Sequence, residues 1–246
     1  MPTIQQIVMD SFTEPVFDPA TISNMMFWYR GDGLTGANGS EITTWPDRSG
    51  HAFDLSALGG VGNRPIVQTN ALNGFKALKN TGLSGLQVLN AGTVPSASNT
   101  YSFYCVLRFD QTGTTDFFGW EDGSGKGMRT GLDAAASALY HYVIPNVGDF
   151  QSTTTLNITG NWNRISVVAN AGSYTIKING TTVSWSGSAP SGGINGATGG
   201  INVGAGVTNA RALVGQIEDL IGYNKALSGT EVGNLDSYVI RRYGIS

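Results

Sequence analysis

The chain has 246 residues, of which 40% are hydrophobic, 13% are charged and 35 are glycine. Roughly half the usual share of charge and about twice the usual glycine exclude a disordered polyelectrolyte, which needs low hydrophobicity and high net charge. They also exclude a coiled coil or helical bundle, which is rich in Glu, Lys and Arg. The net charge is −3 with 14 basic residues and no basic run longer than Arg241–Arg242, so the stripe that displaces counterions from duplex phosphates is missing and nucleic acid is not an expected partner.

Residues 1–16 stand apart from the rest. Ile4, Ile7, Val8, Phe12 and Val16 are apolar, yet Pro2 and Pro15 bracket a stretch too short for a core of its own. The run MPTIQQIVMDSFTEPVF has neither a basic n-region nor a continuous apolar h-region, so it does not read as a secretory signal. No apolar run is long enough to cross a bilayer. The expectation is an N-terminal arm held by a partner protein, a sister subunit or its own domain, followed by one domain over 17–246, in a protein made in the cytoplasm. The sequons at Asn38, Asn157 and Asn179 are then chance occurrences, and the single cysteine, Cys105, allows no intrachain disulfide.

From residue 17 onward the pattern is that of short strands. Stretches 25–30 and 86–89 are the first expected strands. In 101–109, Tyr101, Phe103, Cys105, Leu107 and Phe109 alternate with Ser102, Tyr104, Val106 and Arg108, the period of two of a strand. Further strands are expected at 115–120, 139–144 and 162–169, the last ending at Asn170-Ala171-Gly172. Ser173–Ile178 follows, and Asn179-Gly180 is a tight-turn signal returning the chain antiparallel over Thr181–Trp185. A Gly/Ser/Asn-rich loop fills 186–200, and strands at 201–204 and 212–223 complete the series. Helical pattern is confined to Ser228–Arg242, where Ser228 and Glu231 form a capping box and Val232, Leu235, Tyr238, Val239 and Arg242 line one side.

Two groups of residues carry a family resemblance. Near the start stand Phe17-Asp18-Pro19-Ala20-Thr21-Ile22-Ser23, Phe27-Trp28-Tyr29-Arg30-Gly31-Asp32-Gly33, Thr44-Trp45-Pro46-Asp47-Arg48-Ser49-Gly50, Arg64-Pro65 and Asn73-Gly74. At the far end stand Gly215-Gln216-Ile217-Glu218-Asp219-Leu220-Ile221-Gly222-Tyr223-Asn224-Lys225-Ala226-Leu227-Ser228, Glu231 and Tyr238 to Ile245. Over residues 17–246 the chain resembles the laminin-G-like branch of the concanavalin A-like lectin/glucanase superfamily. The resemblance implies an all-β fold, a two-sheet antiparallel jelly-roll sandwich of about a dozen strands, here with an extended N-terminal arm and a short C-terminal helix. It also implies that Trp45 and Tyr223 are core or corner residues.

Catalytic constellations are absent at the level of spacing. Only His51 and His141 could serve as imidazole bases, and no G-x-S-x-G elbow is present. His141, between Tyr140 and Tyr142, reads as a surface or rim residue, and Cys105 as a small buried hydrophobe. Zinc needs clustered His, Cys or carboxylate ligands, which the spacing does not supply. Glycanase relatives carry a Glu-x-Asp-x-x-Glu strand, whereas the acidic pairs Glu121-Asp122 and Glu218-Asp219 are adjacent, with side chains expected on opposite faces. The Gln-x-His strand of alginate-lyase relatives is also missing. Gly123-Ser124-Gly125-Lys126-Gly127 lacks the earlier glycine and the Ser/Thr of a phosphate loop and reads as a β-turn. Oxygen ligands for calcium exist in loops, at Asp32, Asn38 and Glu41 and at Asp116, Asp122 and Asp133, without a cation-binding spacing. No cofactor is expected, with calcium the one alternative.

Two readings remain. The first is a non-enzymatic virion structural protein, a bacteriophage capsid decoration or tail-associated protein, anchored to a capsid or tail protein through its arm, with a homo-oligomer allowed. The second is a carbohydrate-binding module or adhesin at an extracellular or cell-surface location, holding host-surface glycan on exposed aromatics, for which Trp120, Tyr140, Tyr142 and Trp185 are the candidates.

Overall fold

The computed structural model describes residues 17–82, 89–91, 100–111, 113–121, 127–133, 138–144, 149–152, 158–186, 200–205 and 211–245. The arm residues Ile4, Ile7, Val8, Phe12 and Val16 lie outside them. The described residues form a sandwich of two antiparallel sheets with one helix laid on its outside, the all-β architecture expected above. The first sheet has the order β14 (Thr181–Thr182), β13 (Ser173–Ile178), β12 (Trp162–Asn170), β7 (Thr100–Phe109), β17 (Val214–Tyr223), β5 (Phe75–Thr81), β4 (Ile66–Leu72), and β1 (Met25–Arg30) also pairs with β17. The second runs β15 (Trp185–Ser186), β11 (Asp149–Ser152), β10 (Ala138–Ile144), β9 (Gly127–Asp133), β8 (Thr115–Glu121), β16 (Ile201–Val203), β6 (Leu89–Ala91), β3 (Leu55–Ala57), β2 (Thr44–Trp45). The helix, α1, spans Gly229–Tyr243.

Alternation in β7 explains both layers of packing. Tyr101, Phe103, Cys105, Leu107 and Phe109 enter the core between the sheets, where they meet Phe118, Trp120, Ile165 and Leu220. Tyr104 and Val106 point the other way and are also buried, because α1 covers that face with Val232, Leu235, Tyr238, Val239 and Tyr243. The capping box forms as expected: the Glu231 amide donates to Ser228 Oγ (3.2 Å) and the Ser228 amide to Glu231 (2.8 Å). Gly244 closes the helix in the left-handed region, at φ 66°. Ser102 fixes the approach to the helix, donating to the Lys225 carbonyl and accepting from the Leu227 amide.

The Asn179-Gly180 turn has φ 52° and 80°, the paired positive φ of a type I′ hairpin turn, and it joins β13 to β14. The return strand is shorter than expected, however. It ends at Thr182, and the chain crosses to the other sheet, where Trp185 pairs with Ser152. Strands β2 to β5, β9 and β11 are not legible as alternation. They are two or three residues long, or, like β9 with its two glycines, carry too few large apolar side chains.

One strand organises the first sheet. Residues 214–217 of β17 pair with β5, and residues 219–223 pair with β1 along the same flank. Glu218 falls at the handover, as the extra residue of a bulge between Ile217, opposite Leu107, and Asp219, opposite Val106. The bulge overturns the expectation that the adjacent carboxyls diverge. Both lie under α1: Asp219 accepts from Trp28 Nε1 (2.8 Å), Tyr243 Oη (3.0 Å) and Tyr238 Oη (3.1 Å), and Glu218 has Tyr243 and Arg242 as neighbours. Burial pushes the Asp219 carboxyl up to about 6 against the opposing pull of these donors. Burial, reinforced by the charge of Asp219, raises Glu218 well above the usual carboxylate range. The crowding at this junction also dictates Gly31: a Cβ there would stand 1.8 Å from the Lys76 carbonyl oxygen and 3.2 Å from Glu218 Oε1.

Two outcomes follow from this junction. Gly31→Ala forces the β1–β5 junction apart at a backbone carbonyl, and should lower unfolding free energy by about 2–4 kcal/mol, read as a reduced urea midpoint. The carboxyl pair gives a pH dependence of definite sign. Groups whose folded pKa is raised bind more protons in the folded state, so stability is lost as pH rises from the unfolded value through the folded one. Melting temperature should therefore fall between about pH 4 and pH 6 through Asp219, and further at higher pH through Glu218. Asp32 and Glu231, whose pKa values are lowered, act in the opposite direction only below their ordinary values. Glu218→Gln should flatten the slope and raise the melting temperature at pH 7.5 by a few degrees, on the order of 1 kcal/mol or more; an unchanged pH profile would contradict the assignment.

Candidate functional site

The sequence-predicted aromatics do not assemble into one platform. Trp120 is 1% exposed and sits in the core between the sheets, opposite Ile201 and Met128. Its inward register on β8 corrects the expectation of an exposed ring. Tyr140 faces away from the core but is itself buried. Its hydroxyl donates to Asp116, and the Arg211 guanidinium lies 5.9 Å from its ring centroid. Gly131 makes that path available, since a Cβ there would be 2.7 Å from Tyr140 Oη. Tyr142 occupies the register position between Arg129 and Asp149, and its side chain lies outside the described residues. Trp185 is half-buried and packs against the core.

The candidate catalytic groups are likewise sequestered. His141 is not at a rim but fully buried, between Tyr101 Oη at 2.8 Å from Nε2 and Thr130 Oγ1 at 2.9 Å from Nδ1. Its inward register follows from the pairing with Thr130. Burial pushes its pKa down to about 3. Cys105 is buried in β7, and burial pushes its thiol up. Among the loop oxygens considered for calcium, Asp32 is bound by three arginines. Asn38 accepts from the Thr69 amide and Glu41 from the Gly62 amide. Asp116 accepts from Tyr140, while Asp122 lies outside the described residues. No group of three or more His, Cys, Asp or Glu among the described residues is arranged to hold a metal ion. Gly123–Lys126 are also outside the described residues, and Gly127 begins β9.

A groove of about 490 Å³ opens at the start of β1, lined by Ser23, Asn24, Ser49, His51, Phe53 and Asn224 among others. Its shape is set by Asp47. One Asp47 oxygen accepts from the Trp28 amide and the Ser49 amide, both at 2.9 Å, and the other accepts from Ser49 Oγ and the Phe53 amide. This clasp holds loop 47–54 against β1, reinforced by the Arg48 amide donating to the Trp28 carbonyl. His51 Nε2 lies 3.1 Å from the Met25 carbonyl oxygen. A carbonyl only accepts, so this nitrogen carries the proton and Nδ1 is left as an acceptor when the ring is neutral. The His51 ring stacks on Phe53 with centroids 5.8 Å apart and an interplanar angle of 22°. Across the groove the Asn224 amide donates to the Asn24 carbonyl, with Asn24 at φ 63°. Among the described residues no Asp, Glu, Lys or Arg lines the space. Sequence reading missed this set because its members lie in three separate segments. The signal was the two turn-forming stretches, Thr21–Asn24 and Asp47–Phe53, which begin within the family motifs and run past their ends.

A second groove, of about 470 Å³, lies between β1 and α1. Its walls carry Trp28, Phe75 and Tyr238 together with Arg30, Arg48, Arg241 and Arg242.

Residues 80–233 match the laminin-G profile of the concanavalin A-like lectin/glucanases superfamily. Among solved structures, domain 4 of AbnA, a GH43 extracellular arabinanase from Geobacillus stearothermophilus in complex with arabinotriose, is similar at 21% identity and TM-score 0.61, with 87% of this chain covering 98% of that one. The binding domain of Paraclostridial Mosquitocidal Protein 1 is similar at 17% identity and TM-score 0.63, over 90% of this chain and 53% of that one. Trypanosoma rangeli sialidase in complex with the inhibitor DANA gives 11% identity and TM-score 0.62, over 96% of this chain but only 34% of the sialidase. At these identities the likeness is one of fold. No curated protein matches the sequence. With more than half of its length matched by the family profile and its two antiparallel sheets closed by a C-terminal helix, this chain belongs to the concanavalin A-like lectin/glucanase superfamily.

Proposed function

We propose that this chain is a non-catalytic carbohydrate-binding domain that holds a neutral saccharide in the groove at the start of β1. The observation that carries this reading is the lining itself: hydroxyl and amide side chains from Ser23, Asn24 and Asn224 beside the stacked His51–Phe53 rings, with no Asp, Glu, Lys or Arg among the described lining residues. Sugar hydroxyls both donate and accept, and hydroxyl and amide groups meet them in either sense. The apolar face of a pyranose packs on an aromatic ring, while an uncharged lining avoids leaving an ion desolvated when the sugar displaces water. A binding role fits better than hydrolysis, because the one adjacent carboxyl pair of the first sheet, Glu218 and Asp219, is buried beneath α1. A glycosidase needs two carboxyls flanking an accessible bond. The lectin-like fold and its likeness to an arabinanase domain bound to arabinotriose support the same reading.

Display on a virion is a finer proposal, compatible with glycan binding because a surface decoration can also grip its host. It rests on residues 1–16 as the attachment to a capsid or tail protein, and loss of particle incorporation on their deletion is its test.

The binding reading is tested on an array of neutral oligosaccharides with the full chain, followed by calorimetric titration of the best ligand. Asn224→Ala and Phe53→Ala should each weaken binding about tenfold with circular dichroism unchanged. Retention of no neutral glycan, or full affinity in both variants, would remove the groove from consideration.

A further inference from the structure

The groove between β1 and α1 has a different chemistry. Asp32 lies at its edge and accepts four N–H bonds from three guanidiniums: Arg30 Nε and Nη2 (2.7 and 2.6 Å), Arg48 Nη1 (3.3 Å) and Arg242 Nη2 (3.1 Å). Each guanidinium carries five donors and no acceptor, so one carboxylate satisfies only part of what it gathers. Arg241 adds a fourth guanidinium to the lining, and Asp18, the one acid among the described lining residues, is already capping the Pro19–Thr21 turn through the Ala20 amide, while Glu218 beside Arg242 is buried. Four of the chain's 14 basic residues thus converge on one groove of a protein with net charge −3.

Three of the four guanidiniums are also held in place. Arg30 and Arg48 stand 5.1 and 5.5 Å from the Trp28 ring centroid, and Arg242 stands 4.4 Å from that of Phe75. Side chains fixed by stacking lose little further freedom when an anion arrives, so preorganisation favours binding. Arg48 and Arg241 are the exposed members of the set, and the half-buried rings of Phe17 and Phe75 offer an apolar surface beside them.

We infer that this groove is a second binding site, separate from the neutral one, that takes a carboxylate-bearing sugar: the carboxylate is gripped by Arg48 and Arg241, with its ring against Phe17 and Phe75. Arginine forks match carboxylate geometry, and an aromatic surface next to them suits a sugar ring rather than a bare ion. Among the described residues none lines both grooves, so the two sites succeed or fail independently.

The experiment titrates the full chain by calorimetry with trigalacturonic acid, its methyl ester and inorganic sulfate, at 0.15 M salt. Saturable binding of the acid is expected, reduced about tenfold by Arg241→Gln and further by the double variant with Arg48→Gln, with the methyl ester and sulfate both much weaker. Arg241 has no bond to Asp32, so its variant leaves the ion cluster intact, and an unchanged melting temperature verifies this. Absence of saturable binding, equal affinity for the methyl ester, equal affinity for sulfate, or insensitivity to both substitutions would each overturn the assignment.

Discussion

At the bulge in β17 a buried carboxylate, Asp219, gathers hydrogen bonds from Trp28 on β1 and from Tyr238 and Tyr243 on α1. Much of the molecule depends on that convergence. The strand that carries Asp219 pairs with β7 on one flank and with β5 and then β1 on the other. The helix that donates to it seals the outer face of the same sheet. A buried ion is costly unless its donors are supplied. Here three aromatic donors supply them, and each brings a large apolar surface with its polar tip. Glu218 is the extra residue of the bulge and shares the helix side, which explains why two adjacent acids are both removed from water.

The same junction positions the two grooves. Because β1 ends where β5 begins, the chain turns at Gly31 with no room for a side chain, and Arg30 and Asp32 are set on the helix side of that turn. At the other end of β1 the Asp47 clasp holds loop 47–54 against the strand. One strand therefore has an uncharged groove at its start and an arginine-rich groove flanking its end. The chemistry of each follows from what the neighbouring segments contribute: hydroxyls and amides in the first, guanidiniums from β1, loop 47–54 and the last helical turn in the second. Arg241 and Arg242 at that turn also complement the negative end of the helix dipole, so the same residues serve the helix and the groove.

Wherever a side-chain pattern has a single physical cause, the sequence was readable. Alternation in 101–109 placed β7 correctly because both of its faces are covered, one by the opposing sheet and one by α1. The Asn-Gly turn and the Ser228–Glu231 capping box were legible because they depend on neighbours within four residues. Trp120 and His141 were misread because an aromatic or polar residue on a strand has no signature of which face it occupies. Register against Met128 and Thr130 turned both inward. The divergence expected of Glu218 and Asp219 failed for a related reason: a bulge is decided by what the neighbouring strands require, here the handover from β5 to β1.

Composition, strand periodicity and turn chemistry by themselves determined a turn-rich all-β chain with a terminal helix, because local propensity and burial pattern mark the longer elements; the two-sheet jelly roll was what the resemblance of the motifs implied. The binding surfaces were decided only by tertiary structure. Ser23, Ser49 and Asn224, or Arg30, Arg48 and Arg242, are far apart along the chain and carry no common spacing. They meet because antiparallel pairing of β1 with β17, a carboxylate clasp and a docked helix bring separate segments to the two ends of one strand, and pairing across such separations leaves no mark in a linear pattern.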